Sequence, residues 1–221
     1  MRLPKEEMIS DFSEKVHFMP WIGTNYYQNG LFERKILLLG ESHYSTVFHN
    51  KPKTETSLYT RHIMQKFAID ETARYYTVTR KLIVGAANAC HNQRKLNNIS
   101  KYDFWHSVAF YNFVQEFVGK KARQRPSDQH WIEAYSPFHE ILERLMPDIC
   151  IVLGKELWRH LPQENEKIKD CDTRLEFKQY NVNAKSILCT YSAHPSSFMS
   201  YKKFIPQVAR CFQMTLNSTI A

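Results

Sequence analysis

The chain has 221 residues, 43% of them hydrophobic and 24% charged, a balance that fits one globular domain over residues 1–221 with a sizeable core and excludes a fibrous or disordered chain. No apolar run approaches the roughly 20 residues that span a bilayer, and the first residues lack the apolar stretch of a secretory signal; a cytoplasmic protein with no membrane partner is expected. The formal charge of +8 favours an anionic partner such as nucleic acid.

In chain order, Lys5 to Met19 carries Met8, Ile9, Phe12, Val16 and Met19 at helical spacing and predicts an N-terminal helical extension over residues 1–20, ended by Pro20. A loop over Trp21–Tyr27 then leads to a first strand, Lys35–Leu39. Its apolar side chains follow one another without alternation, as in a strand covered on both faces. Ser45–Ser57 is polar and aperiodic, and reads as a loop over the strand ends. Leu58–Ile69 and Glu71–Ala89 read as helices with Asp70 as a cap between them. Asn88–Ser100 is a polar break. Val108–Tyr111 reads as a second strand closing at Asn112. A basic loop follows at Arg123–Asp128. Trp131–Met146 predicts a helix interrupted at Pro137. Ile149–Leu153 predicts a third strand, then Gly154 and a helix over Lys155–Leu161. Residues 162–173 read as a charged connection, and Leu175–Val182 as an extra extended segment. Ser186–Thr190 predicts the fourth main strand and Tyr201–Met214 a closing helix. Alternating strands and helices define the class as α/β: three layers, α/β/α, around a central four-stranded, mainly parallel sheet.

The chemistry gathers in two polar turns, each directly after a strand. One is Gly40-Glu41-Ser42-His43-Tyr44. The other is Ser192-Ala193-His194-Pro195-Ser196-Ser197. In an open parallel sheet, ligands bind in the crevice outside the carboxyl ends of the strands. The predicted strand ends at Gly40, Asn112, Gly154 and Ser192 therefore line one rim. The five cysteines are scattered without a C-x-x-C pair and read as free thiols in a reducing compartment, so no metal or other cofactor is expected. No G-x-G-x-x-G occurs, which argues against a dinucleotide-binding oxidoreductase.

The series Leu39-Gly40-Glu41-Ser42, a strand ending in Asn112, Ile151-Val152-Leu153-Gly154-Lys155 and His194-Pro195-Ser196 resembles the uracil-DNA glycosylase superfamily in order and spacing, over roughly residues 20–212. The resemblance implies hydrolysis of the N-glycosidic bond of a flipped, deaminated or damaged base, with DNA as partner. It assigns Glu41 and Ser42 to water attack at the sugar and His194 to the base oxygen. It assigns Asn112 to the pyrimidine edge and Gly40 to the base site, with Tyr44 or Phe48 stacking on the base. Ser196 and Ser197 would hold phosphate, with Lys155 and Lys202 as further DNA-binding residues. Phe198 or Met199 would wedge between bases. The family commonly has Pro where His43 stands, and Asp or Asn where Ser42 stands. Two other readings follow from these departures. One is a non-catalytic nucleic-acid or nucleotide-binding protein on the same fold. The other pairs Glu41 with His43 as an acid–base or metal pair, since alternate residues of an extended chain share a side.

Overall fold

The computed structural model describes residues 12–48, 51, 53–90, 96, 98–121, 123–163, 166–170 and 175–217. One mixed sheet carries seven strands: β1 (Trp21–Ile22), β2 (Ile36–Gly40), β3 (Ala109–Asn112), β4 (Ile149–Leu153), β5 (Glu166–Lys169), β6 (Glu176–Val182) and β7 (Lys185–Ser192). Their order is β1-β3-β2-β4-β7-β6-β5. The four strands β3, β2, β4 and β7 are contiguous and parallel. The expectation of a four-stranded sheet is thereby corrected. Antiparallel β1 pairs outside β3, and an antiparallel β6–β5 hairpin pairs outside β7. The extended segment expected over Leu175–Val182 is β6, whereas the sequence hid β1, which has two residues, and β5, which has one apolar side chain, Ile168, among charged neighbours.

The period of two divides each central strand between two cores. Ile36, Leu38, Ile149, Ile151 and Leu153 face one layer, which contains α2 (Tyr59–Ile63), the π-helical run Met64–Asp70, α3 (Arg74–Cys90), α4 (Lys101–Trp105) and α8 (Tyr201–Asn217). Leu37, Leu39, Cys150 and Val152 face the other layer, which contains α5 (Asp128–Glu133), α6 (Tyr135–Leu145) and α7 (Lys155–His160). Each fully buried Leu or Ile contributes about 1.5–3 kcal/mol relative to exposure. Helix ends follow local chemistry. Ser100 caps α4 through the Asp103 N–H, and Ser127 forms a reciprocal capping box with His130 at α5. A short helix α1 (Lys53–Thr56) sits inside the expected 45–57 loop.

The expected N-terminal helix does not form over residues 12–19; residues 5–11 lie outside the described residues. Val16 to Ile22 are buried one after another, on all sides, which a one-faced surface helix cannot achieve. The Phe18 N–H donates to Gln115 Oε1 and the Met19 N–H to the Ser57 carbonyl, so distant segments hold this stretch open. Parts of three other expected connections also lie outside the described residues: 49, 50 and 52; 91–95 and 97; 164, 165 and 171–173. No described helix is long and apolar enough to cross a membrane.

Candidate functional site

The chain enters the parallel core at β2, adds β3 on one side, then crosses to add β4 on the other. The connections leaving β2 and β4 therefore diverge, and a crevice opens at their carboxyl ends. Beyond the strands, the loops after β2 and β3 continue side by side. The Phe113 and Val114 N–H groups donate to the carbonyls of Gly40 and Glu41, and those of Val118 and Ser45 bond across to His43 and Gly119. This zipper brings Gly119, at the start of the basic segment that carries Arg123 and Arg125, onto the rim.

Glu41 follows β2 directly. Its side chain is 12% exposed and accepts both of its close hydrogen bonds from Arg125 Nη1, at 3.0 and 3.1 Å. Burial raises its pKa, and the Arg125 charge partly opposes that rise. Ser42 is half-buried, and its hydroxyl has no hydrogen-bond partner among the described residues.

Asn112 ends β3 in register with Gly40. A Cβ on Gly40 would lie 2.1 Å from Asn112 Oδ1, so only glycine allows this approach. The Asn112 amide nitrogen donates to Nδ1 of His43 at 3.1 Å, while His43 Nε2 meets the Thr60 hydroxyl at 2.8 Å. His43 is 6% exposed, and burial with the neighbouring His17 lowers its pKa to about 3. Glu41 and His43 thus turn to different partners and do not form the acid–base pair considered from the sequence. Among the described residues, no group of three His, Cys, Asp or Glu gathers around a common point for a metal ion.

His194 stands after β7, beside the end of β4. A Cβ on Gly154 would lie 3.8 Å from its Cδ2. The Ser196 N–H donates to its Nδ1 at 3.2 Å, which leaves the proton on Nε2. Nε2 has no partner among the described residues. Burial, and then the Arg125 charge, lower the His194 pKa, so the ring is neutral at pH 7. The Tyr75 ring lies 5.4 Å from that of His194, and burial, with smaller contributions from Tyr76 and Glu41, raises the Tyr75 pKa. The Arg125 charge acts on both Glu41 and His194.

The remaining expected residues divide by surroundings. Tyr44 is 50% exposed at the first turn. Phe48 instead packs against Tyr59, ring centroids 5.5 Å apart, in a cluster with His43 and Phe117. Both Ser197 donors close the second turn onto the His194 carbonyl, at 2.6 Å from Oγ and 2.8 Å from N. The Ser197 hydroxyl is thus engaged within the turn, while Ser196 is exposed. Lys155 opens α7 and Lys202 lies in the first turn of α8, both exposed. Phe198 is 88% exposed.

Sequence reasoning did not single out Arg125, Thr60, Tyr75 or Gln115 as members of this site. A small cavity of about 20 Å³, lined in part by Phe67, Tyr76, Arg80 and Trp105, shares none of the rim residues. Comparison with protein-family models found no match, and comparison with curated proteins found none.

Proposed function

We propose that the protein is a DNA glycosylase of the uracil-DNA glycosylase kind, hydrolysing the N-glycosidic bond of a deaminated or damaged base held out of the stack. One observation carries this reading: Glu41, Asn112 and His194 stand at neighbouring strand ends around the divergence of β2 and β4. The division of labour follows from their surroundings. Breaking the bond from sugar C1′ leaves the electron pair on the base and positive charge on the sugar. The neutral His194 offers its Nε2–H to the base anion, with no proton to lose first. Glu41, once ionised, stabilises the sugar cation and orients the water that adds to C1′, taking its proton as the new bond forms. Tyr44 supplies a ring for the base. Lys155, Lys202, Ser196 and Arg125 supply donors for phosphates. Phe198, 88% exposed, fills the gap that the extruded base leaves in the stack.

A second reading, nucleic-acid binding without catalysis, draws on the Glu41–Arg125 pair. That ion pair occupies the carboxylate that the chemistry needs. Single-turnover base release separates the two. Single- and double-stranded oligonucleotides carrying uracil, hypoxanthine or xanthine are the substrates, with Glu41→Ala and His194→Ala beside the wild type. The glycosylase reading expects release that either substitution lowers at least 100-fold. Salt-sensitive binding with no release by the wild type would overturn it in favour of the second reading.

A further inference from the structure

His43 has no place in the chemistry above, yet it is among the most tightly enclosed polar groups of the rim. Phe18 and Tyr59 meet its ring edge-on, each at 4.9 Å between centroids, and Phe117 lies at 6.4 Å. Thr60, itself fully buried, takes its Nε2. The ring is thus held against rotation, with Nδ1 aimed at the Asn112 amide nitrogen.

We propose that His43, held by Thr60, is a positioning residue that fixes which way round Asn112 presents its amide, and so makes the site select a lactam edge. The inference rests on reading Asn112 as the residue that faces the base. A neutral imidazole with its proton on Nε2 has only a lone pair at Nδ1. That lone pair can meet the amide NH2 and repels the amide oxygen. Turning Asn112 over would set lone pair against lone pair. The main chain resists movement too, because Gln115 Nε2 donates to the Asn112 carbonyl at 2.6 Å while its Oε1 accepts from the Phe18 N–H. Asn112 Oδ1 is left beside Gly40 with no partner among the described residues. It accepts from a ligand N–H, and the second amide hydrogen can reach a carbonyl next to it. An N–H beside a C=O is the edge that deamination creates. Cytosine becomes uracil and adenine becomes hypoxanthine, whereas each parent base presents a bare ring nitrogen beside an amino group. His43 would therefore set the preference for deaminated over parent bases without touching either.

The test has two arms. In the first, 15N spectra of the labelled protein report the His43 tautomer. The proton is expected on Nε2, and a proton on Nδ1 overturns the proposal. In the second, fluorescence anisotropy compares single-stranded oligonucleotides carrying one 2′-fluorinated deoxyuridine or the matching 2′-fluorinated deoxycytidine. The fluorine destabilises the sugar cation, so the bound state persists. Wild type is expected to prefer uracil at least tenfold. His43→Ala is expected to abolish that preference while binding the cytosine strand as well as before. If His43→Ala does not fold, Thr60→Val supplies the same comparison, because it removes the partner that fixes the tautomer. A preference unchanged in the variant, or absent from the wild type, overturns the proposal. Because this assay reads binding, a preference without base release counts against the glycosylase reading alone. Release with a preference indifferent to His43 counts against the positioning role alone.

Discussion

At the residue scale, the site depends on a few close approaches and one ion pair. Gly40→Ala would set a methyl 2.1 Å from Asn112 Oδ1 and 2.9 Å from Phe110 Cζ. Both must move, and overpacking of this kind costs about 1–3 kcal/mol. Urea unfolding should register that loss together with weakened oligonucleotide binding. The Glu41–Arg125 pair gives a pH prediction with a definite sign. Burial raises the Glu41 pKa and Arg125 lowers it, so removing Arg125 leaves burial less opposed. In Arg125→Ala the Glu41 carboxyl should titrate at higher pH than in the wild type, as read by 13C chemical shift. Any rate that needs ionised Glu41 should then appear at higher pH in the variant. A midpoint unchanged by Arg125→Ala would mean that the pair does not govern Glu41 ionisation. Glu41, Asn112 and His194 were legible because each lies at, or within two residues of, the end of a strand with a buried apolar run. Arg125, Thr60 and Tyr75 were not, because their roles depend on packing between segments that local sequence does not relate. His43 was read from the sequence as a departure from the pattern of the family it resembles and as a partner for Glu41, neither of which describes its surroundings. Its meaning came from three aromatic rings and an amide contributed by other elements.

At the element scale, apolar runs on the central strands were readable because burial on both faces leaves no polar position to confuse the pattern. The same burial misled at residues 12–19. Val16 and Met19 sit at helical spacing, but they belong to a segment buried residue after residue and bonded to remote donors and acceptors. Helix α4 carried a signal in its Ser100-x-x-Asp103 cap, and its shortness hid it. The capping box at α5 makes a prediction of its own. His130 takes the place usually held by Glu or Gln, bonding the Ser127 N–H through Nδ1 at 3.0 Å. Ser127→Ala should cost about 1 kcal/mol in chemical denaturation. Since α5 follows the basic loop, that loop should also show faster amide exchange in the variant.

At the scale of the whole molecule, the expected class was right and the extent of the sheet was not. The sequence pattern marks strands that are buried on both faces, and so reports the middle of a sheet better than its flanks. The net charge of +8 is likewise a property of the entire chain, and it predicts steep salt dependence for polyanion binding. Exposed Lys155 and Lys202 lie at the carboxyl-end rim. Replacing both with Ala should reduce the slope of log K against log salt by about 1.4 for a single-stranded ligand, at about 0.7 for each phosphate that is no longer neutralised. A slope left unchanged would remove these two lysines from the binding surface.

The flanks of the sheet have a consequence of a different kind. Every strand that feeds the rim lies inside the sheet order, with β1 pairing Ala109 and Phe110 of β3 and β6 pairing β7 as far as Cys189. Among the described residues, the outermost strands of the sheet are a ladder two residues long on one side and Glu166-Lys167-Ile168-Lys169 on the other. Short and charged margins give an incoming extended chain little template to extend. Copies of this protein crowded along a polyanion would share its charge without zippering into one another, so high local occupancy need not become aggregation.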